Sequence, residues 1–77
     1  MTEAYVLINC ELGHENEIIA EIKKIEGIVN VFGVYGVYDI MVKIKAESIE
    51  KLKDIVTTRI RKIEKIKSTL TLIEITK

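Results

Sequence analysis

Segments that favour strands and segments that favour helices alternate along this chain in one order: strand, helix, strand, strand, helix, strand. Runs of β-branched and aromatic residues favour strands, whereas apolar residues three or four positions apart favour an amphipathic helix. The strand-favouring segments are Ala4–Cys10, Ile28–Tyr35, Tyr38–Lys45 and Ser68–Thr76. The apolar stripes are Ile18, Ile19, Ile22 and Ile25 in the first helix and Ile49, Leu52, Ile55, Val56, Ile60 and Ile63 in the second.

This order predicts an α+β fold of the ferredoxin-like βαββαβ type. Each helix crosses over between two strands, and a hairpin joins the second strand to the third. Because such crossovers are right-handed, both helices are expected on one face of a four-stranded antiparallel sheet. With 77 residues the chain is too short for a second domain, so we expect residues 1–77 to form a single domain.

The other face of the predicted sheet has no covering layer. We expect it to carry Tyr5 and Leu7 or their neighbours in the first strand, and Met41, with Ile73 and Ile75 added if Thr71 faces away from the helices. An exposed apolar face of this size is unusual on a monomer, and 48% hydrophobic residues is more than so small a monomer comfortably buries. The sequence therefore predicts a homo-oligomer, built from a dimer joined through the sheet faces across a twofold axis.

Charge and composition limit the partners. Twelve Lys and Arg balance twelve Asp and Glu, and a protein that binds nucleic acid on its own needs a basic surface, so no direct DNA binding is expected. The basic run Arg59, Arg61, Lys62, Lys65 and Lys67 is either a solvated helix face or a contact patch.

No signal peptide or membrane span is recognisable, which predicts a cytoplasmic protein. The abundance of Ile, Lys and Glu is typical of a thermophile.

The segment Val34–Asp39 joins the second and third predicted strands. Gly36 can adopt the positive φ that a tight reversal often needs, and it gives a ligand access to backbone N–H groups. Asp39 follows at the start of the third strand, where Asp is disfavoured, so its presence needs a reason. A carboxylate beside free N–H groups suits a small zwitterion, whose cationic group the carboxylate can bind. Tyr35 and Tyr38 flank the reversal and either pack against the domain or contact such a ligand.

Thr69 and Thr71 lie two residues apart in the last predicted strand, so their side chains share one face. Two hydroxyls on one face can bind a carboxylate or an amide. The alternative interpretation is simple strand propensity, because Thr favours strands in any case.

Few residues suggest catalysis. His14 is the only histidine, with no Ser or Cys nucleophile next to it, and the single Cys10 excludes a CxxC pair. No cluster has the spacing of a metal site and no Gly-rich phosphate loop is present, so no metal or cofactor is expected.

Two alternatives to a small-molecule binding module stay open. One is a small dimeric ferredoxin-like enzyme, such as a monooxygenase or isomerase, and the other is a purely structural oligomerisation module.

Three segments, AYVLINCELGHENEI, GIVNVFGVYGVYDIMVKI and STLTLIEI, closely resemble the effector-binding domain of the Lrp/AsnC regulators. This domain is also called RAM, for regulation of amino acid metabolism. The most specific element is Gly36-Val37-Tyr38-Asp39, followed by a hydrophobic strand. The resemblance covers essentially the whole chain. It implies a ferredoxin-like fold, dimers joined through their sheet faces, and assembly of the dimers into rings such as octamers.

The resemblance also implies a non-enzymatic function. In the family a small effector, usually an amino acid, binds between dimers. Carried over to this sequence, the contact residues are Gly36, Tyr38, Asp39, Thr69 and Thr71, with Tyr35 as a neighbour. Full-length family members also have an N-terminal helix-turn-helix domain, whereas the first predicted strand here begins at Ala4. The expectation is a stand-alone effector domain that senses amino acids or acts on transcription indirectly, through a full-length Lrp/AsnC-type relative.

Overall fold

The computed structural model describes residues 1–74 and has the predicted order of elements. These are β1 (Thr2–Cys10), α1 (Glu15–Ile22), β2 (Ile28–Gly33), β3 (Ile40–Ala46), α2 (Ile49–Ile55) and β4 (Ile66–Ile73). A π-helical turn, Val56–Ile60, directly continues α2 and is called the π turn below. Ser48 begins α2 as its N-cap, because its hydroxyl accepts a hydrogen bond from the Lys51 N–H at 3.1 Å.

The four strands form one antiparallel sheet in the order β2-β3-β1-β4. β1 lies between β3 and β4, and β2 and β4 form the two edges. The strands joined by each helix are therefore not neighbours, since one other strand lies between them. This is the ferredoxin-like arrangement, and it confirms the predicted fold.

The core lies between the two helices and one face of the sheet. Alternate residues of the two central strands are buried there: Ala4, Val6, Ile8 and Cys10 of β1 and Ile40, Val42, Ile44 and Ala46 of β3. Ile18 and Ile22 of α1, Leu52 of α2 and Ile60 of the π turn pack into the same cluster. The buried alternate side chains of the strands thus pack against the apolar stripes of the two helices.

The other face of the sheet, called the open face below, is covered by no helix in residues 1–74. Phe32, Met41, Leu7 and Leu70 form one row that crosses all four strands, because each pairs with the next in the ladder. Lys43, Tyr5 and Leu72 form a second, shorter row. Phe32, Leu70 and Leu72 are each more than 40% exposed, so an apolar strip remains in contact with water.

β4 contributes Leu70 and Leu72 to the open face, and not Ile73, which the sequence placed there on the condition that Thr71 faces away from the helices. Thr71 pairs with the buried Val6 and Ile73 with the buried Ala4, and paired residues share a face. Thr71 and Ile73 therefore point to the helix side, and Leu70 and Leu72 take their place on the open face. Ile75 lies outside the described residues.

Several predicted boundaries shift. β2 ends at Gly33 rather than Tyr35, and β3 begins at Ile40 rather than Tyr38. The reason is the hydrogen bond from Val34 N–H to the Asp39 carbonyl at 2.9 Å, which makes residues 34–39 a closed loop. α1 ends at Ile22, although Ile25 is still buried. Within residues 1–74, no helix has the length and apolar character needed to cross a membrane.

We predict that Gly27→Ala lowers the free energy of unfolding by about 2–3 kcal/mol, from backbone strain and overpacking. Gly27 has φ +98°, and a Cβ there would lie 3.0 Å from the Lys45 carbonyl oxygen. Gly36→Ala is the control: its φ is +137°, but no described atom lies within 4 Å of an added Cβ. It should cost only the strain, about 1 kcal/mol. Urea denaturation measures both values, and equal losses would show that the contact with Lys45 is unimportant.

Candidate ligand-binding site

The loop between β2 and β3 is held by backbone hydrogen bonds at its base and is open at its tip. Asp39 N–H donates to the Ile8 carbonyl at 2.9 Å, which ties the base of the loop to the central strand β1. At the tip, Gly36 has φ +137°, a conformation that residues with a side chain rarely adopt. The loop therefore presents the backbone around Gly36 to the solvent from a fixed base.

The carboxylate of Asp39 has a structural partner. Its Oδ2 accepts a hydrogen bond from the Cys10 N–H at 3.0 Å, where the register of β1 against β4 shifts between Asn9 and Cys10. Such a bulge leaves a backbone N–H without its usual ladder partner, and Asp39 supplies one. This gives a physical reason for an acid at this position. Within residues 1–74 the second oxygen, Oδ1, accepts no hydrogen bond, so it is available to a ligand.

The aromatic residues of the loop differ in their surroundings. The side chain of Tyr35 is completely exposed and Val37 is 82% exposed, so neither packs against the described part of the chain. Tyr38 is half-buried. The packing interpretation therefore fits Tyr38 only, and Tyr35 and Val37 form an apolar tip directed at solvent.

Thr69 and Thr71 lie together on the helix side of β4, as their spacing predicted. They line a groove of about 600 Å³ between β4, α2 and the π turn, called the β4 groove below. Its volume is in the range of small-molecule sites. Lys53, Thr57, Arg61 and Lys67 line it as well, and neither threonine hydroxyl makes a hydrogen bond with the described residues.

Sequence reasoning did not assign Lys53, Thr57, Arg61 or Lys67 to the site. Arg61 and Lys67 did belong to the basic run, for which a contact patch was one interpretation. The structure divides that run: Arg61 and Lys67 face the β4 groove, whereas Arg59, Lys62 and Lys65 line a separate groove that also contains Glu17, Glu21 and Glu64. Sequence alone does not reveal this division, because it depends on which helix turn faces which strand.

The loop and the β4 groove are separate within one chain. Ile8 of β1 pairs with Ile40 on one side and with Thr69 on the other. Two strand spacings, roughly 10 Å, therefore lie between the backbone at the base of the loop and that of Thr69. None of Tyr35, Gly36, Tyr38 and Asp39 lines the β4 groove. The six predicted site residues thus form two groups rather than one pocket.

The reactive side chains offer little for catalysis. Cys10 is buried, and its burial, together with the Asp39 and Glu15 carboxylates, raises the pKa of the thiol, which disfavours the nucleophilic thiolate. The Nδ1 atom of His14 lies 3.6 Å from Glu17, and His14 does not line the β4 groove. Residues 1–74 contain no group of three or more His, Cys, Asp or Glu side chains that could hold a metal ion.

Comparisons with known proteins agree with this geometry. The family profile of the Lrp/AsnC ligand binding domain matches residues 3–76. The crystal structure of FFRP-DM1 superposes with a TM-score of 0.92 at 31% identity, covering 97% of this chain and 100% of that one. The structure of AsnC from E. coli gives a TM-score of 0.92 at 22% identity, covering 99% and 52%.

A third solved structure is the complex of the transcriptional regulator NMB0573 from Neisseria meningitidis with L-Met. Its TM-score is 0.85 at 10% identity, with 97% of this chain and 50% of that one covered. The present chain therefore spans about half the length of this protein and of AsnC from E. coli. No curated protein gives a significant match.

The role of Asp39 in the fold can be separated from its charge. Asp39→Ala removes the acceptor of the Cys10 N–H, so the free energy of unfolding should fall by about 1–3 kcal/mol. Asp39→Asn retains an amide oxygen that can accept the same hydrogen bond, and it should lose less than half as much. Urea denaturation compares the two variants. An Asp39→Ala variant as stable as the wild type would mean that the carboxylate does not hold the bulge.

Proposed function

The chain belongs to the Lrp/AsnC ligand-binding domain family, and on this premise we propose that it is a non-enzymatic regulatory module that binds an amino acid between subunits. The observation that carries this proposal is the division of the site. Within one chain, the loop around Gly36 and Asp39 does not line the β4 groove that contains the two threonines. A second copy of the chain can bring its loop to the groove of the first.

A dimer joined through the open face is the first part of the proposed assembly. The row Phe32, Met41, Leu7 and Leu70 gives an apolar strip across all four strands. Lys43 and Glu3 form an ion pair of 3.3 Å on the same side of the sheet, so charges of both signs accompany the strip. A face with both signs is suited to a second copy of itself across a twofold axis. Dimers would then assemble further, for example into an octameric ring.

The second part is the ligand. An amino acid carries one carboxylate and one ammonium group. In the proposed site the backbone N–H groups near Gly36 and the hydroxyls of Thr69 and Thr71 bind the carboxylate. The free Oδ1 of Asp39 binds the ammonium, while its Oδ2 stays on Cys10. The exposed Tyr35 covers the ligand from the neighbouring subunit. The related regulator NMB0573 was crystallised with L-Met, which supports an amino acid as the ligand class.

Ligand binding between subunits has a consequence for assembly. A ligand that contacts two dimers binds the assembled state better than the separate dimers, so by linkage it stabilises the larger assembly. The chain would act on transcription through such a change of assembly, either alone or together with a full-length Lrp/AsnC-type regulator in the cytoplasm. Its net charge of zero agrees with an indirect effect rather than DNA binding by this domain.

Titration calorimetry against the twenty amino acids, with light scattering on the same samples, tests the proposal. At least one amino acid should bind, and it should increase the mean mass of the particles. Asp39→Asn should weaken binding of that amino acid at least tenfold without changing the dimer, because it removes the charge but keeps the hydrogen bond to Cys10. Absence of binding and of any mass change for all twenty would contradict the proposal.

The dimer has its own test. Leu70→Lys introduces a charge into the apolar row at a residue that is 42% exposed in the single chain, so the fold itself should tolerate it. Analytical ultracentrifugation should show a shift from dimer to monomer. Leu12→Lys is the matched control, because Leu12 is 92% exposed and does not belong to the open face. A Leu70→Lys variant that stays dimeric would rule out this interface.

A further inference from the structure

The β4 groove carries an unbalanced positive charge. Lys53, Arg61 and Lys67 line it, and no acidic side chain does. Two other grooves of the described chain are different. Arg59, Lys62 and Lys65 share theirs with Glu17, Glu21 and Glu64, and Lys45 and Lys51 share theirs with Glu26 and Glu47. The excess of cations is therefore a property of the β4 groove and not of the surface in general.

Within residues 1–74 the three cations also have no salt-bridge partner. In that part of the chain, the close contacts between basic and acidic side chains join Lys43 to Glu3 and His14 to Glu17, and neither involves the β4 groove. Lys and Arg side chains that converge without an acid repel one another unless an anion lies between them. The charge of the groove thus favours an anionic ligand over a cationic one.

Uncharged donors accompany the cations. Thr57, Thr69 and Thr71 line the groove, and their hydroxyls make no hydrogen bond with the described residues. The neighbouring Thr58 behaves differently, since its hydroxyl donates to the Asp54 carbonyl at 2.7 Å within the helix. Together with the planar guanidinium of Arg61, which suits bidentate binding of a carboxylate, the groove offers more donors than one carboxylate can accept.

The backbone next to the groove is irregular on both sides. The π turn replaces the regular end of α2, and Arg61 N–H closes it by donating to the Val56 carbonyl at 2.9 Å. Lys65, directly before β4, has φ +76°, which is uncommon for a residue other than glycine. The π turn lines the β4 groove through Val56 and Thr57, whereas Lys65 lines the neighbouring groove. π-Helical turns occur frequently at functional sites.

On the basis of the proposed function, we propose that the effector is a dicarboxylate, with an acidic amino acid as the form that uses the whole site. One carboxylate and the ammonium lie between the loop of one subunit and the threonines of the other. The second carboxylate lies deeper in the β4 groove, against Arg61 and the two lysines. A neutral amino acid leaves these cations without a counter-charge and binds more weakly.

Titration calorimetry with L-glutamate, L-aspartate, L-glutamine, L-asparagine and 2-oxoglutarate tests this. Each acid should bind at least tenfold more tightly than its amide, and added NaCl should reduce this ratio, because salt screens the cations. 2-Oxoglutarate, which lacks the ammonium, should bind more weakly than L-glutamate but still more tightly than L-glutamine. If the amides bind as tightly as the acids, the dicarboxylate proposal is wrong and the amino-acid proposal stands. If none of these four amino acids binds but another of the twenty does, only the dicarboxylate proposal fails; if none of the twenty binds, both fail.

Arg61→Gln and Arg59→Gln form a matched pair for the same experiment. Both residues are exposed and lie close in sequence, but only Arg61 lines the β4 groove. Arg61→Gln should reduce the preference for glutamate over glutamine at least fivefold, whereas Arg59→Gln should leave it unchanged. Circular dichroism checks that both variants fold. Equal effects of the two substitutions would overturn the assignment of the second carboxylate to this groove.

Discussion

The central position of β1 determines the arrangement of the whole domain. Every second residue of β1, from Ala4 to Cys10, is buried under the helices, and the residues between them form the middle of the open face. β3 and β4 both pair with β1, so their registers follow from it. A shift by one residue would exchange the two faces of a strand and would move Thr69 and Thr71 out of the β4 groove. The pairing of Ile8 with Ile40 and with Thr69 therefore positions both parts of the proposed site.

The same pairing also separates those parts. The loop extends from the junction of β2 and β3, while the groove lies beyond β1 on the outer strand β4. Asp39 connects the two regions of the fold, because its backbone and its carboxylate are both bonded to β1. A loop that does not line the groove of its own chain suits a site that forms only when chains assemble. Ligand binding and assembly then become one equilibrium.

The sequence predicted the fold well, because the apolar run Ala4–Cys10, the alternation in Tyr38–Lys45 and the two helical stripes each have one reasonable interpretation. It did not decide which face of β4 meets the helices. Both alternating sets of that strand mix apolar and polar residues, and only the pairing of Thr71 with Val6 settles the question. It also did not reveal the bond from Asp39 to Cys10, which joins residues 29 positions apart. The basic side of the β4 groove was equally hidden, since the sequence does not show that Arg61 lines this groove and Arg59 a different one.

The central claim is that each binding site contains the loop of one chain and the β4 groove of another. Mixed oligomers of two inactive variants test it most directly, Asp39→Asn and the double variant Thr69→Val with Thr71→Val. Neither should bind the amino acid alone, but a mixed oligomer contains sites with an intact loop from one chain and intact threonines from the other. Calorimetry on co-expressed, doubly tagged oligomers should therefore recover part of the wild-type binding. If mixed oligomers form and no binding returns, both groups act within one chain and the account is wrong.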